Sequence, residues 1–162
     1  MSDEKCLRTA RLTLREIEEK DAVFIVRLRS DPEVYRYFVS PHRITQEEHL
    51  NWYRNRYLQD NSRADWIAED RDGKAVGVFG IKAGAKDGSA EISYILAPEA
   101  YGKGYAREAV EAVMRFAAEE RRITRFTAEI HKDNRASIRF AEKAGFRAAG
   151  QEGDFIRFER KP

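Results

Sequence analysis

Apolar and polar positions change their period several times along the chain, and each change marks an element. Alternation over Arg8–Ile17, with Leu12, Leu14 and Ala10 on one face, predicts a first strand. Asp21–Arg29 then carries Ala22, Ile25, Val26 and Leu28 at helical spacing, with Asp21 as cap and Ser30-Asp31-Pro32 as stop. Glu33–Phe38 reads as a short second helical piece and Val39–Arg43 as a loop. Thr45–Asn61 gives the clearest helix of the first half. Thr45 with Glu48 forms a capping box, and Leu50, Tyr53 and Tyr57 make one stripe beside a second of His49, Trp52 and Arg56. Those aromatics either pack as the buried face of an amphipathic helix or line a cleft.

The second half switches to strands. Ala64–Glu69 and Ala75–Lys82 flank an Asp72-Gly73 hairpin turn, and a turn over Lys86–Gly88 leads into the strand Ser89–Leu96. Arg107–Glu120 follows as a helix with Ala109, Val110, Val113, Met114 and Ala117 toward the core. Then come a strand over Ile123–Ile130 and a helix over Asn134–Ala144, with Gly145 in the left-handed position after it. Phe146–Ala149 and Phe155–Glu159 close the chain as short strands. This order predicts one α/β (α+β) domain over 1–162. Its sheet is mixed and mostly antiparallel, with six to seven strands and about four flanking helices.

Composition narrows the class. The 162 residues include 30 basic and 28 acidic side chains, a net charge of +2, and the basic ones are scattered. A nucleic-acid partner is not expected from such a balance. No apolar run suits a membrane span or signal peptide, so no membrane partner is expected. The single cysteine, Cys6, allows no internal disulfide and fits a reducing, cytoplasmic setting. His42, His49 and His131 lie far apart without ligand spacing, and no metal is expected.

The chemistry gathers at Pro98–Ala109. Gly102 and Gly104, with Lys103 between them, join the strand Ser89–Leu96 to the helix after it. The first N–H groups of a helix lack intrahelical partners, and its dipole places about half a positive charge there. Glycines let such a backbone wrap closely around a phosphate. The stretch is neither a Walker loop nor a dinucleotide fingerprint, because no Lys-Ser/Thr pair and no second GxG step follow.

The element order and three local patterns resemble the GNAT N-acetyltransferase superfamily over nearly the whole chain. Tyr101-Gly102-Lys103-Gly104-Tyr105-Ala106 is similar to the family's acyl-CoA pyrophosphate loop. Asn134 and Ser137, followed by Glu142-Lys143-Ala144-Gly145-Phe146, resemble its fourth-helix signature. Arg11-Leu12-Thr13-Leu14-Arg15 with Asp31-Pro32-Glu33-Val34 is similar to the branch of ribosomal-protein N-terminal acetyltransferases. Tyr101 stands where the general motif has Gln or Arg, and Ala141 stands where many members carry a tyrosine general acid.

The resemblance implies a GNAT-like domain that moves an acetyl group from acetyl-CoA to a primary amine by direct attack. Glu91 becomes the candidate base acting through water, because an alkylamine of pKa about 10 is almost wholly protonated at neutral pH. Ser137 becomes the candidate acid or thiol partner. Gly102, Lys103, Gly104, Tyr105 and Ala106, with Tyr101, would hold the pyrophosphate. Ile95 and Leu96 would offer backbone groups to the pantetheine arm, and Asn134 would contact it besides capping its helix. Tyr35, His49 and Trp52 would meet the acceptor. The acceptor is read first as a peptide or protein α-amine; the alternatives are a nucleotide-linked amino sugar, another small amine, or a CoA-binding relative without catalysis. The basic rim of Arg36, His42 and Arg43 suits an acidic acceptor better than a polyamine. A homodimer is an assembly the family allows.

Overall fold

A computed structural model describes residues 6–84 and 87–162. Among them, eight strands form one sheet in the order β1-β2-β3-β4-β5-β6-β8-β7. The strands are β1 (Leu7–Arg8), β2 (Thr13–Glu16), β3 (Arg63–Glu69), β4 (Ala75–Ala83), β5 (Ser89–Leu96), β6 (Arg125–His131), β7 (Arg147–Glu152) and β8 (Phe155–Arg160). Every neighbouring pair is antiparallel except β5 and β6, which α4 (Tyr105–Arg121) joins as a parallel crossover. The other helices are α1 (Ala22–Arg29), α2 (Pro32–Tyr35), α3 (Gln46–Asn55) and α5 (Arg135–Lys143). None of the described helices is long and apolar enough to cross a membrane.

Helices cover both faces of the sheet. Trp66, Phe79, Ile81, Phe126 and Phe158 pack in the larger core with Val110 and Val113 of α4 and Ala141 of α5. Ile17, Ile25, Tyr57 and Ile67 make a smaller core on the α1–α3 face, with Trp52 and Tyr53 against it. The alternation of β3 and β4 feeds both cores, so these two strands are buried on both sides, whereas β5 feeds the larger core and exposes Glu91 and Ser93 on its other face.

Several elements differ from their sequence reading. The first strand is two strands, because the chain turns at Thr9, whose hydroxyl accepts from the Leu12 N–H at 2.9 Å. The long helix after Thr45 stops at Asn55. Tyr57 turns inward instead, accepting from the Asp65 N–H at 3.0 Å and donating to Glu16 at 3.1 Å, which ends the helical run in a tight turn. Helix α4 starts at Tyr105, two residues earlier than the apolar stripe suggests. The Asp72-Gly73 turn forms as expected, with Gly73 at φ +77°. The turn read over Lys86–Gly88 lies partly outside the described residues.

One ion pair ties the α1–α3 layer to the sheet. Arg15 donates to both oxygens of Asp21 at 2.8 and 2.7 Å and to Glu69 at 3.0 Å. Asp21 is 6% exposed and also accepts from the Glu18 N–H. Burial pushes its pKa up, but the Arg15 hydrogen bonds and charge outweigh burial and hold it below 3.8. This stability is therefore present above pH 3.8 and is lost as pH falls through the lowered native value. Asp21→Asn should cost about 3 kcal/mol in urea unfolding at pH 7, because it leaves Arg15 short of its partner. The gap between wild type and variant should close as pH falls below 3.8.

Candidate active site

Strands β5 and β6 touch over only three rungs, Ser89 with Arg125, Ala90 with Phe126 and Glu91 with Thr127. Beyond Glu91 each strand follows its other neighbour. β5 stays on β4 as far as the Gly77–Leu96 rung, and β6 stays on β8 as far as the His131–Phe155 rung. The sheet forks at Glu91 and leaves the facing edges of Ile92–Leu96 and Ala128–His131 without each other. Unpaired strand edges are ready to accept the amides of an extended ligand. A cavity of about 1220 Å³ fills the fork and extends onto the α1–α3 face.

At one end of the cavity the chain leaves β5 through a short turn into α4. Gly102 and Gly104 both take φ +79°, a conformation that L side chains rarely adopt. The N–H groups of Tyr105, Ala106 and Arg107 open the helix without intrahelical acceptors. Arg11 fastens this turn. It donates to the Lys103 carbonyl at 2.7 Å and to Glu108 at 2.9 Å, and its guanidinium lies 4.7 Å from the Tyr105 ring centre. Glu108 also accepts from Thr9 and from the Arg11 N–H. Burial raises the Glu108 pKa, but the Thr9 and Arg11 hydrogen bonds more than offset this and keep it ionised. A Cβ at position 104 would lie 3.3 Å from the Arg11 guanidinium.

Glu91 stands at the fork. Its side chain is exposed along the cavity, but the protein crowding its carboxylate and then the neighbouring Glu129 raise its pKa above 4.5, with Lys82 and Arg63 acting against them. A carboxylate held more basic than usual, at the point where two strands part, suits proton abstraction through water.

The opposite wall comes from α5. Asn134 caps this helix by accepting from the Ser137 N–H at 3.3 Å. The Ser137 hydroxyl does not bond back to the preceding turn; it pairs with the Tyr94 hydroxyl at 2.6 Å. Burial raises the Tyr94 pKa, with the Ser137 bond acting against it, so the phenol keeps its proton. Ala141 is 1% exposed in the larger core, whereas Phe140 lines the cavity and lies 4.7 Å from the Tyr94 ring. Position 141 therefore faces away from the site.

The structure brings Glu91, Ile95, Leu96, Tyr101, Gly102, Gly104, Tyr105, Ala106, Asn134 and Ser137 to one cavity. His49 and Trp52 line it on the α3 side. Lys103 does not line it; its carbonyl serves the Arg11 clamp and its amine sits 6.0 Å from the Tyr105 ring centre. Tyr35 also lies outside the wall, which Tyr37 lines instead. Sequence reading placed Arg11 in the opening motif without a role at the glycine turn, and did not single out Arg29, Asp65 or Tyr94. Of the last three, Tyr94 carried a local signal, alternating with Ile92 and Leu96 on its strand. Among the described residues no cluster of His, Cys, Asp or Glu could hold a metal ion.

A family model described as an acetyltransferase (GNAT) domain matches residues 11–147. YkkB, an uncharacterized protein of Bacillus subtilis, is 37% identical over 145 residues, covering 86% of this chain and 83% of its own. The spermidine N(1)-acetyltransferase of Vibrio cholerae is 27% identical over 139 residues, covering 85% and 79%. A crystal structure of spermidine N-acetyltransferase from Vibrio cholerae in complex with CoA and spermine shares the fold with a TM-score of 0.84. It is 24% identical and covers 94% of this chain and 96% of that one. The chain belongs to the GNAT acetyltransferase family and is an acetyl-CoA-dependent N-acetyltransferase. The glycine turn, the free helix N-terminus and the open strand edges fit a coenzyme with a diphosphate and an amide-bearing arm.

Arg11→Ala should weaken CoA binding about tenfold in calorimetry, the effect of losing one charge-assisted clamp on the loop. Gly104→Val should weaken it further, since it adds a positive-φ penalty to the contact with Arg11.

Proposed function

We propose that Glu91, working through a bound water, takes the proton from a primary amine held in the fork, and that the amine attacks the acetyl thioester directly. Acetyl-CoA supplies the activated acyl group. The new C–N bond forms as the C–S bond breaks, and the departing sulfur takes a proton. Gly102, Gly104 and the N–H groups of Tyr105, Ala106 and Arg107 would hold the diphosphate. The free edge from Ile92 to Leu96 would hold the pantetheine arm.

The observation that carries this reading is the position of Glu91, at the last rung before the sheet parts and with its pKa raised. The hydroxyl pair of Tyr94 and Ser137 supports a proton source in place of the tyrosine that Ala141 replaces. Ser137 would hold the proton at its hydroxyl oxygen and be resupplied from Tyr94. On this reading, Ala141 does not count against catalysis.

The opening motif says little about the acceptor. Arg11 clamps the glycine turn, Leu12 and Leu14 are buried in the larger core, and Arg15 pairs with Asp21. These structural tasks account for the motif without a peptide substrate. The relatives that act on spermidine support a small amine as the acceptor class.

Glu91→Gln should lower kcat by about 10²–10³-fold in a free-thiol assay while CoA affinity stays within twofold, since a positioned base contributes on that scale. In wild type, kcat/KM should fall on the acid side with an apparent pKa above 4.5, as Glu91 takes up its proton and ceases to be a base. The Gln variant should lack that limb. Full turnover by the variant would remove Glu91 from the mechanism.

A further inference from the structure

On the α1–α3 face of the cavity, two arginines, Arg29 and Arg63, share one buried carboxylate, Asp65, and only Arg63 is hydrogen-bonded to it. Arg29, the last residue of α1, lines the cavity and rests 5.3 Å from the Phe38 ring centre. Its Nε is buried without a hydrogen-bond partner; the one carboxylate whose charge favours the guanidinium, Asp65, is already hydrogen-bonded to Arg63, whose own charge acts against Arg29. A guanidinium withdrawn from water is costly unless an anion meets it. Beside it lies His49, 3% exposed, with neither ring nitrogen hydrogen-bonded. Burial and then the Arg29 charge lower the His49 pKa, so the ring is neutral and has one N–H to give.

The other charges on this wall are already matched. Arg63 donates to Asp65 at 3.1 Å and stacks 4.9 Å from the Trp52 ring centre. Asp65 occupies the space a side chain at position 80 would need, since a Cβ on Gly80 would lie 2.0 Å from its Oδ1. Arg36 pairs with Glu33 at 3.1 Å. At the fork the local sign is negative, where the charge of Glu129 adds to that of Glu91, while Arg107, Arg135 and Lys143 line the α4 and α5 sides. One cavity thus offers carboxylates at the fork and, on the α1–α3 wall, an arginine with no hydrogen-bonded anion beside a free imidazole.

We propose that the acceptor carries an anionic group, a carboxylate or a phosphate monoester, which binds between Arg29 and His49 while its amine faces Glu91. This rests on the reading of the fork as an amine acetyltransferase site. The guanidinium gives a planar fork that matches either anion, and His49 adds a donor from the side. A polyamine in the same pose would set a second ammonium beside Arg29. The acceptor predicted here therefore differs in charge from spermidine.

Matched acceptors test the idea. Glycine, β-alanine and 4-aminobutyrate would be compared with their primary amides, O-phosphoethanolamine with ethanolamine, and all of them with spermidine. At least one anionic member should exceed its uncharged partner by about 10–100-fold in kcat/KM, the effect of charge-assisted hydrogen bonds. The carboxylate and phosphate arms tell the two sources apart. Arg29→Gln should collapse that ratio toward one, with CoA affinity intact as the check on folding. If that variant does not fold, Arg29→Lys and His49→Gln should each lower the ratio at least threefold. A higher kcat/KM for spermidine or the amides, or a ratio that Arg29→Gln leaves alone, overturns the proposal. Binding gives a readout independent of turnover. Glutarate and inorganic phosphate, titrated calorimetrically into wild type, should bind at least tenfold more tightly than to Arg29→Gln. No difference between the two proteins also overturns it. Loss of all turnover and of CoA binding would refute the enzyme reading instead, and the anion titration would still decide the Arg29 site.

Discussion

Everything at the site follows from the parting of β5 and β6. Parallel strands hold each other through evenly spaced hydrogen bonds, and here those run for three rungs and stop. Each strand has a better-matched antiparallel partner on its far side, and the twists of the two halves separate them. A closed sheet would have left no groove. The fork supplies two unsatisfied backbone edges, places Glu91 at its apex, and sends the chain out of β5 directly into the turn before α4. The proposed diphosphate end and the proposed proton-abstracting end are thus set by one topological feature.

The fork needs its rim held. Arg11 reaches from the segment between β1 and β2 across to the glycine turn, where it joins Lys103, Glu108 and Tyr105. This contact spans the chain from its first strands to its middle. Two glycines in left-handed conformations make the turn adaptable in shape, and the arginine holds it in one shape. On the other face, Arg15 and Asp21 do the same for the layer that carries Arg29 and His49.

Legibility in the sequence tracked how local each signal was. The strand, glycine turn and helix around Gly102 and Gly104 were readable because the conformational demand and the residue type sit at the same positions. Glu91, Asn134 and Ser137 were readable through resemblance to a family pattern, and the cavity gathers them. Tyr35 shows where helical phase fails. Helix α2 lasts four residues, and the chain then bends, so Tyr37 faces the cavity instead. The partnership of Tyr94 with Ser137 spans 43 residues and depends on how α5 docks against the fork. Arg29 gave no signal, because an arginine in the last turn of a helix is what the dipole favours anyway. Its burial beside Phe38 and its closeness to Arg63 and Asp65 arise only from the packed fold. Nonlocal burial of charge is the part that periodicity cannot report.

The most direct test is a crystal structure of the protein with CoA bound. The diphosphate should sit on the N–H groups of Tyr105, Ala106 and Arg107, with the pantetheine arm between the free edges of Ile92–Leu96 and Ala128–His131 and its sulfur near Glu91 and Ser137. Electron density for the coenzyme elsewhere, or β5 and β6 closed against each other along their full length, would contradict the account.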